Sequence, residues 1–175
     1  MTQAKPNPPA PTVSHLFGEI TWLLTQSPLH RHLKLADLEW LVMPALLSRQ
    51  LYIFRDGDNT IGVALWGKLS AEAEKKLDKP LMEGKSRLAP EDWTSGENIW
   101  LIDLVAPFAN EQNKQREIMM ADLLAGPLKG QAFKLHRTDP KTGKRSVVTI
   151  EKDTGEKLTA AIRNAAEAAG DQKVH

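Results

Sequence analysis

Leu16, Ile20, Leu23 and Leu24 recur at helical spacing, which predicts a helix over residues 14–26. Pro28 ends it, because the residue before a proline disfavours the α region. A second stretch of the same periodicity, Leu35–Leu47, predicts another helix, with Asp37 as its candidate cap and Pro44 kinking or dividing it. Two β-rich runs, 51–54 and 61–70, flank Asp56-Gly57-Asp58-Asn59 and predict a hairpin. Residues 71–77 read as a short charged helix with Ser70 as N-cap and Glu72 and Glu74 near its positive end. A polar loop runs from there to about Asn98. The run IWLIDLVAPF, 99–108, is nearly all apolar and of strand length, as a buried central strand requires. A helix over 113–124 follows, stopped at Gly126-Pro127. Residues 131–138 and 145–152 form a second hairpin around Asp139-Pro140-Lys141-Thr142-Gly143, and 156–169 an Ala-rich helix. The order α-α-β-β-α-β-α-β-β-α predicts an α+β layer fold with helices on a central sheet.

Composition narrows this further. At 175 residues and 41% hydrophobic, the chain suits one domain, expected over 14–169. Residues 1–13 carry Pro6, Pro8, Pro9 and Pro11 and read as a disordered arm, and 170–175 as a flexible tail. Lys+Arg 23 against Asp+Glu 22 leaves no global basic field, so nucleic acid is not an expected partner. The absence of cysteine excludes a disulfide scaffold, thiolate zinc sites and a cysteine nucleophile. No apolar run approaches the roughly 20 residues of a membrane span, and the N-terminus has no apolar signal core. The expectation is a cytoplasmic protein with no metal.

Two residues stand out chemically. His30 follows a proline-defined turn in Ser27-Pro28-Leu29-His30, where its ring could be held at the mouth of a site and exchange protons near neutral pH, or simply cap a helix. Asp103 interrupts Trp100-Leu101-Ile102-Asp103-Leu104-Val105. A carboxylate in such a strand must be paired, hydrogen-bonded or protonated; an imidazole N–H would serve, and so would backbone donors or an arginine. Strict alternation puts Asp103 on the face of Leu101 and Val105, opposite Ile102 and Leu104. Residues 123–150 hold Lys129, Lys134, Arg137, Lys141, Lys144 and Arg145 against one acid, Asp139: a face for an acidic partner, or a solvated strand. The dispersed tryptophans are core or cleft wall rather than base-stacking platforms. P-loop, GxGxxG, GxSxG and HExxH patterns are all missing.

Gly18–Arg31 with its SPLHR, Leu46–Ser70, and EDWTSGENIWLIDLVAPF over 91–108, with a weaker match over Phe133–Lys144, resemble the RTX toxin-activating lysine acyltransferases. The resemblance implies a GNAT-like fold, a central mixed, mostly antiparallel sheet flanked by helices. It implies His30 as catalytic, Asp103 as its carboxylate partner and Ser27 as a lesser family position. It further implies an acyl-carrier protein as donor through its phosphopantetheine thioester, no bound cofactor, an RTX-type protoxin as acceptor, and room for a homodimer. On that reading His30 takes the proton of an attacking lysine amine, Trp66 and Trp100 line an acyl groove, and Arg137 and Lys141 belong to the face that docks the carrier. The rivals are a non-catalytic adaptor for a secreted partner and a coenzyme A-dependent acetyltransferase, against which the missing glycine-rich phosphate loop speaks.

Overall fold

The computed structural model describes residues 10–78 and 87–158, together with 160, 161 and 164. The expected arm over 1–13 falls mostly outside these residues, and the expected tail at 170–175 entirely so. α1, Val13–Gln26, starts where the Thr12 hydroxyl accepts from His15 N–H, and buries Ile20, Leu23 and Leu24. The expected second helix is two: α2, Leu35–Leu41, and α3, Met43–Leu47. The break falls at Val42 because Pro44 has no N–H to give and is accommodated in the first turn of α3. Asp37 is not the cap residue. It lies at the third helical position, accepting from Lys34 N–H at 2.8 Å and Trp40 Nε1 at 3.2 Å, with Arg87 at 3.0 Å.

β1, Leu51–Asp56, and β2, Asn59–Leu69, form the first hairpin, with Gly57 at φ +57° in a two-residue turn. α4, Ala71–Lys76, is capped by Ser70 as expected. Within the expected polar loop lies a 3₁₀ turn, Pro90–Thr94, whose Trp93 is fully buried. β3, Asn98–Val105, stops short of Pro107. α5, Gln115–Ala125, precedes the second hairpin of β4, Phe133–Thr138, and β5, Arg145–Ile150. Residues 154–158 are helical, as are 160, 161 and 164; the rest of the expected final helix lies outside the described residues.

The strands form one sheet in the order β1-β2-β3-β4-β5, antiparallel except for β3 against β4. With helices on both faces this is the α+β architecture expected, and it is consistent with a GNAT-like fold. One apolar cluster joins α1 to α4 and Trp93 on one face through Val63, Leu65, Trp100 and Val105. The other packs α5 through Met119, Leu123 and Leu124 against Ala64, Trp66 and Leu101. Gly62 lets α5 approach: a Cβ there would meet the Met119 methyl at 2.5 Å.

Glu19 ties α1 to the first hairpin. Its carboxylate takes both terminal nitrogens of Arg55, at 2.6 and 2.8 Å, and the Thr60 hydroxyl at 2.9 Å. The Arg55 bond holds the Glu19 carboxyl below its ordinary value of 4.5, against the opposing pull of burial. A carboxyl depressed in the folded state stabilises above its unfolded pKa, and that contribution is lost as pH falls through the folded one. Stability should therefore decline below about pH 4.5, and Glu19→Gln should flatten that decline, read as melting temperature against pH.

Candidate active site

Pro28 builds the first half of the site. It forces Ser27 to extended backbone at ψ 120°, ending α1. The Ser27 carbonyl then accepts from His30 N–H at 3.0 Å and Arg31 N–H at 2.9 Å, a tight turn that brings the imidazole back over the helix end. The Ser27 hydroxyl reaches His30 Nδ1 at 2.7 Å. Ser27 is buried and His30 nearly so.

β3 supplies the second half, by a route that alternation misses. Leu65 pairs with Asp103 but Trp66 pairs with Leu101, so Ile102 is an extra residue in β3. This bulge reverses the phase of the strand. Leu101 falls in the α5-side cluster, while Ile102, Val105 and the Asp103 partner Leu65 belong to the α1 side. The expectation that Asp103 shares a face with Leu101 and opposes Ile102 is thus corrected, while its placement with Val105 and against Leu104 stands. Turned toward α1, Asp103 Oδ2 meets His30 Nε2 at 2.7 Å.

Ser27, His30 and Asp103 therefore form a continuous hydrogen-bonded chain. An ionised carboxylate only accepts, so Nε2 carries the ring hydrogen and Nδ1 accepts from the Ser27 hydroxyl. Such a ring takes a proton at Nδ1, and the imidazolium formed is stabilised by the carboxylate.

The Asp103 end of this chain lies in the wall of a cleft; Ser27 and His30 stand behind it, outside the lining. Only two residue pairs, Trp100 with Lys134 and Leu101 with Leu135, join β3 to β4, and beyond them the strands part. The gap is a cleft of about 680 Å³ whose wall includes Asp103, Ile102, Leu29, His136 and Arg145. Leu29 is 77% exposed at its lip. His136 was not singled out by the sequence; a histidine alternating with apolar positions in a strand was the available signal. Its ring stacks on Trp100 at 5.0 Å, and burial, then Arg145, hold its pKa below the ordinary 6.5. Arg116, Arg137 and Arg145 all line the cleft, and their guanidinium groups make no ion pair or hydrogen bond among the described residues.

The expected groove walls are elsewhere. Trp66 and Trp100, 7% and 5% exposed, are packed on opposite faces of the sheet and line no part of this cleft. Trp100 is held in place by its Nε1, which donates to Glu74 at 2.6 Å. Glu74 also takes Lys134 at 2.8 Å, which removes that lysine from the basic face, and Asn98 at 3.1 Å. Burial raises the Glu74 carboxyl, and these donors, Lys134 first, outweigh it and lower it. Arg137 is in the cleft wall; Lys141 is exposed in the β4–β5 turn, outside it.

Residues 10–152 match the RTX toxin acyltransferase family, and the chain belongs to it. It is 34% identical to the leukotoxin-activating lysine-acyltransferase LktC of a Pasteurella haemolytica-like species, over 86% of this chain and 93% of that one. It is 30% identical to the protein-lysine myristoyltransferase HlyC of Escherichia coli over 73% of this chain and 69% of that protein. The RTX-II toxin-activating lysine-acyltransferase ApxIIC of Actinobacillus pleuropneumoniae is 29% identical over 74% and 77%.

The hydrogen-bonded chain makes a spectroscopic prediction. In nitrogen-15 spectra, neutral His30 should carry its proton on Nε2, and Asp103→Asn should abolish that preference; an Nδ1–H tautomer in the native protein would refute the arrangement.

Proposed function

We propose that this chain is a protein-lysine acyltransferase that moves a fatty acyl group from an acyl-carrier-protein thioester to a lysine ε-amine of an RTX-type protoxin. The observation that carries the reading is the 2.7 Å contact of His30 with Asp103 on the wall of a cleft between two parting strands, in a member of this family. Strand edges past the last β3–β4 pair lack each other as partners, and a phosphopantetheine arm, with two amides, has the groups to use them. The donor is a substrate and no resident cofactor is required. Carrier-bound donors belong to the cytoplasm, where the reaction is placed.

A thioester is already activated; the acceptor is the difficulty, because lysine, with a pKa of about 10.4, is protonated at neutral pH. The ammonium first gives up one proton to water, and the neutral amine so formed attacks the thioester carbonyl carbon. The C–N bond forms, the C–S bond breaks, and the thiolate leaves to be protonated as the carrier thiol. The proton lost by the nitrogen goes to His30 Nδ1, with Asp103 stabilising the imidazolium. Because the Ser27 hydroxyl occupies Nδ1, the proton passes through Oγ, or the amine displaces it. That same contact favours a second route, in which Oγ gives its proton to Nδ1 and attacks first, forming an ester that the lysine then cleaves.

Intact-mass measurement of a protoxin incubated with acylated carrier and this chain should show the acyl increment. His30→Ala and Asp103→Asn should each slow transfer by roughly 100- to 10,000-fold; unchanged toxin activation in both variants would support the adaptor instead. Single-turnover quenching separates the routes: an acyl adduct lost in Ser27→Ala marks the serine ester, and its absence at normal turnover marks direct transfer.

Lys141 and Lys144 project from the exposed β4–β5 turn, and an acidic carrier would meet them first. Transfer should slow several-fold between low and high salt, and Lys141→Glu should reduce both the rate and its salt dependence. Salt-insensitive kinetics would remove this face from the docking site.

A further inference from the structure

The cleft is not uniform, and its two halves lie on opposite faces of the sheet. Asp103, Ile102, His136 and Arg145 face the α1 side, with the hydrogen-bonded chain. Leu101, Leu104, Leu135 and Met120 line the same cleft but belong to the apolar cluster under α5. Arg116 and Glu117, in the first turn of α5, and Arg137, two residues past Leu135 on the same face of β4, stand exposed at the rim of this second half. The cleft therefore passes through the sheet at the point where β3 leaves β4.

We propose that the acyl tail of the donor threads this gap and lodges on the α5 side among Leu101, Leu104, Met120 and Leu135. The carbonyl stays on the α1 side, beside His30. The inference rests on the acyl-transfer reading and adds to it the place and the length limit of the chain. Three observations select this occupant. The strands are still paired at Leu101 and Leu135, where neighbours lie about 4.8 Å apart, so the gap is narrowest just beyond them, which suits a slim unbranched chain better than a helix. The buried and half-buried lining past the gap, Leu101, Leu104, Met120 and Leu135, is aliphatic and thioether, while the charged residues of that half, Arg116, Glu117 and Arg137, are exposed. It is continuous with Asp103, the carboxylate end of the hydrogen-bonded chain, as a tail attached to a carbonyl reacting beside that chain requires. Met120, on α5 and half-buried, faces the cleft beside the fully buried Met119 and sets its depth.

The test is the rate of transfer from carrier loaded with acyl chains of 8 to 16 carbons. Each methylene accommodated should raise kcat/KM about fourfold until the pocket is full. Met120→Trp should move the preferred length down by several carbons while leaving the shortest donors unaffected; Met120→Ala should move it up. An unchanged length profile in both variants overturns the proposal, as does the same shift produced by Trp66→Phe, which lies outside the cleft. Thermal melts establish that each variant is folded; should Met120→Trp not fold, Leu104→Phe makes the same test. Binding of myristoyl-pantetheine, followed by equilibrium dialysis, separates the two readings. Binding that is lost in Met120→Trp without transfer by the native protein would leave the tail site standing and remove the transferase; neither binding nor transfer overturns the tail site.

Discussion

Asp103 sits half-buried in the central strand, at the cleft wall, and the side-chain donor its carboxylate meets there among the described residues is His30. The dependence runs both ways. A carboxylate without a donor would be costly in that position, and an imidazole without the carboxylate would have no fixed tautomer. Everything near the site serves to bring these two groups together across a separation of 73 residues. α1 is anchored to the first hairpin by Glu19 and Arg55, Pro28 turns the chain back at its end, and the bulge at Ile102 aims the acid toward it.

The local devices were legible in the sequence because they act over a few residues. Pro28 ends the helix before it, Ser70 caps α4, and the turns over residues 56–59 and 139–143 close the two hairpins. The importance of His30 and Asp103 was legible for a different reason: each violates its surroundings, a titratable ring at a fixed turn and an acid in an apolar run. The face of Asp103 was not legible. A bulge depends on the register of β2 against β3, which no property of β3 alone announces, and one extra residue inverts an alternation otherwise correctly read. The 3₁₀ turn at Pro90–Thr94 escaped for a similar reason, although its Trp93 was expected in the core or a cleft wall. Its segment is polar on average, and only the tertiary contacts of a single 3₁₀ turn bury it.

The tryptophans show how chemistry suggested by residue type yields to packing. Trp66 and Trp100 are large and apolar, as a groove wall should be, yet both are consumed by the two cores that hold helices onto the sheet. The surface left for a ligand is made by smaller side chains at the edge where those cores stop. It exists because two strands run together briefly and then separate, leaving aliphatic residues of one core and polar residues of the other facing the same gap.

Glu74 gives that separation a mechanical character. It grips Trp100 and Lys134, the first of the two pairs that join β3 to β4, so the cleft is a wedge pinned near its apex from outside. Displacement in a wedge grows with distance from the pin. Asp103 lies two residues past the last pair, about 7 Å along the strand, so a small rotation of β4 about the apex changes the width of the cleft most where Asp103 lies. An anchor on α4 thus sets where β4, carrying His136, stands opposite an Asp103 that β2 holds through Leu65.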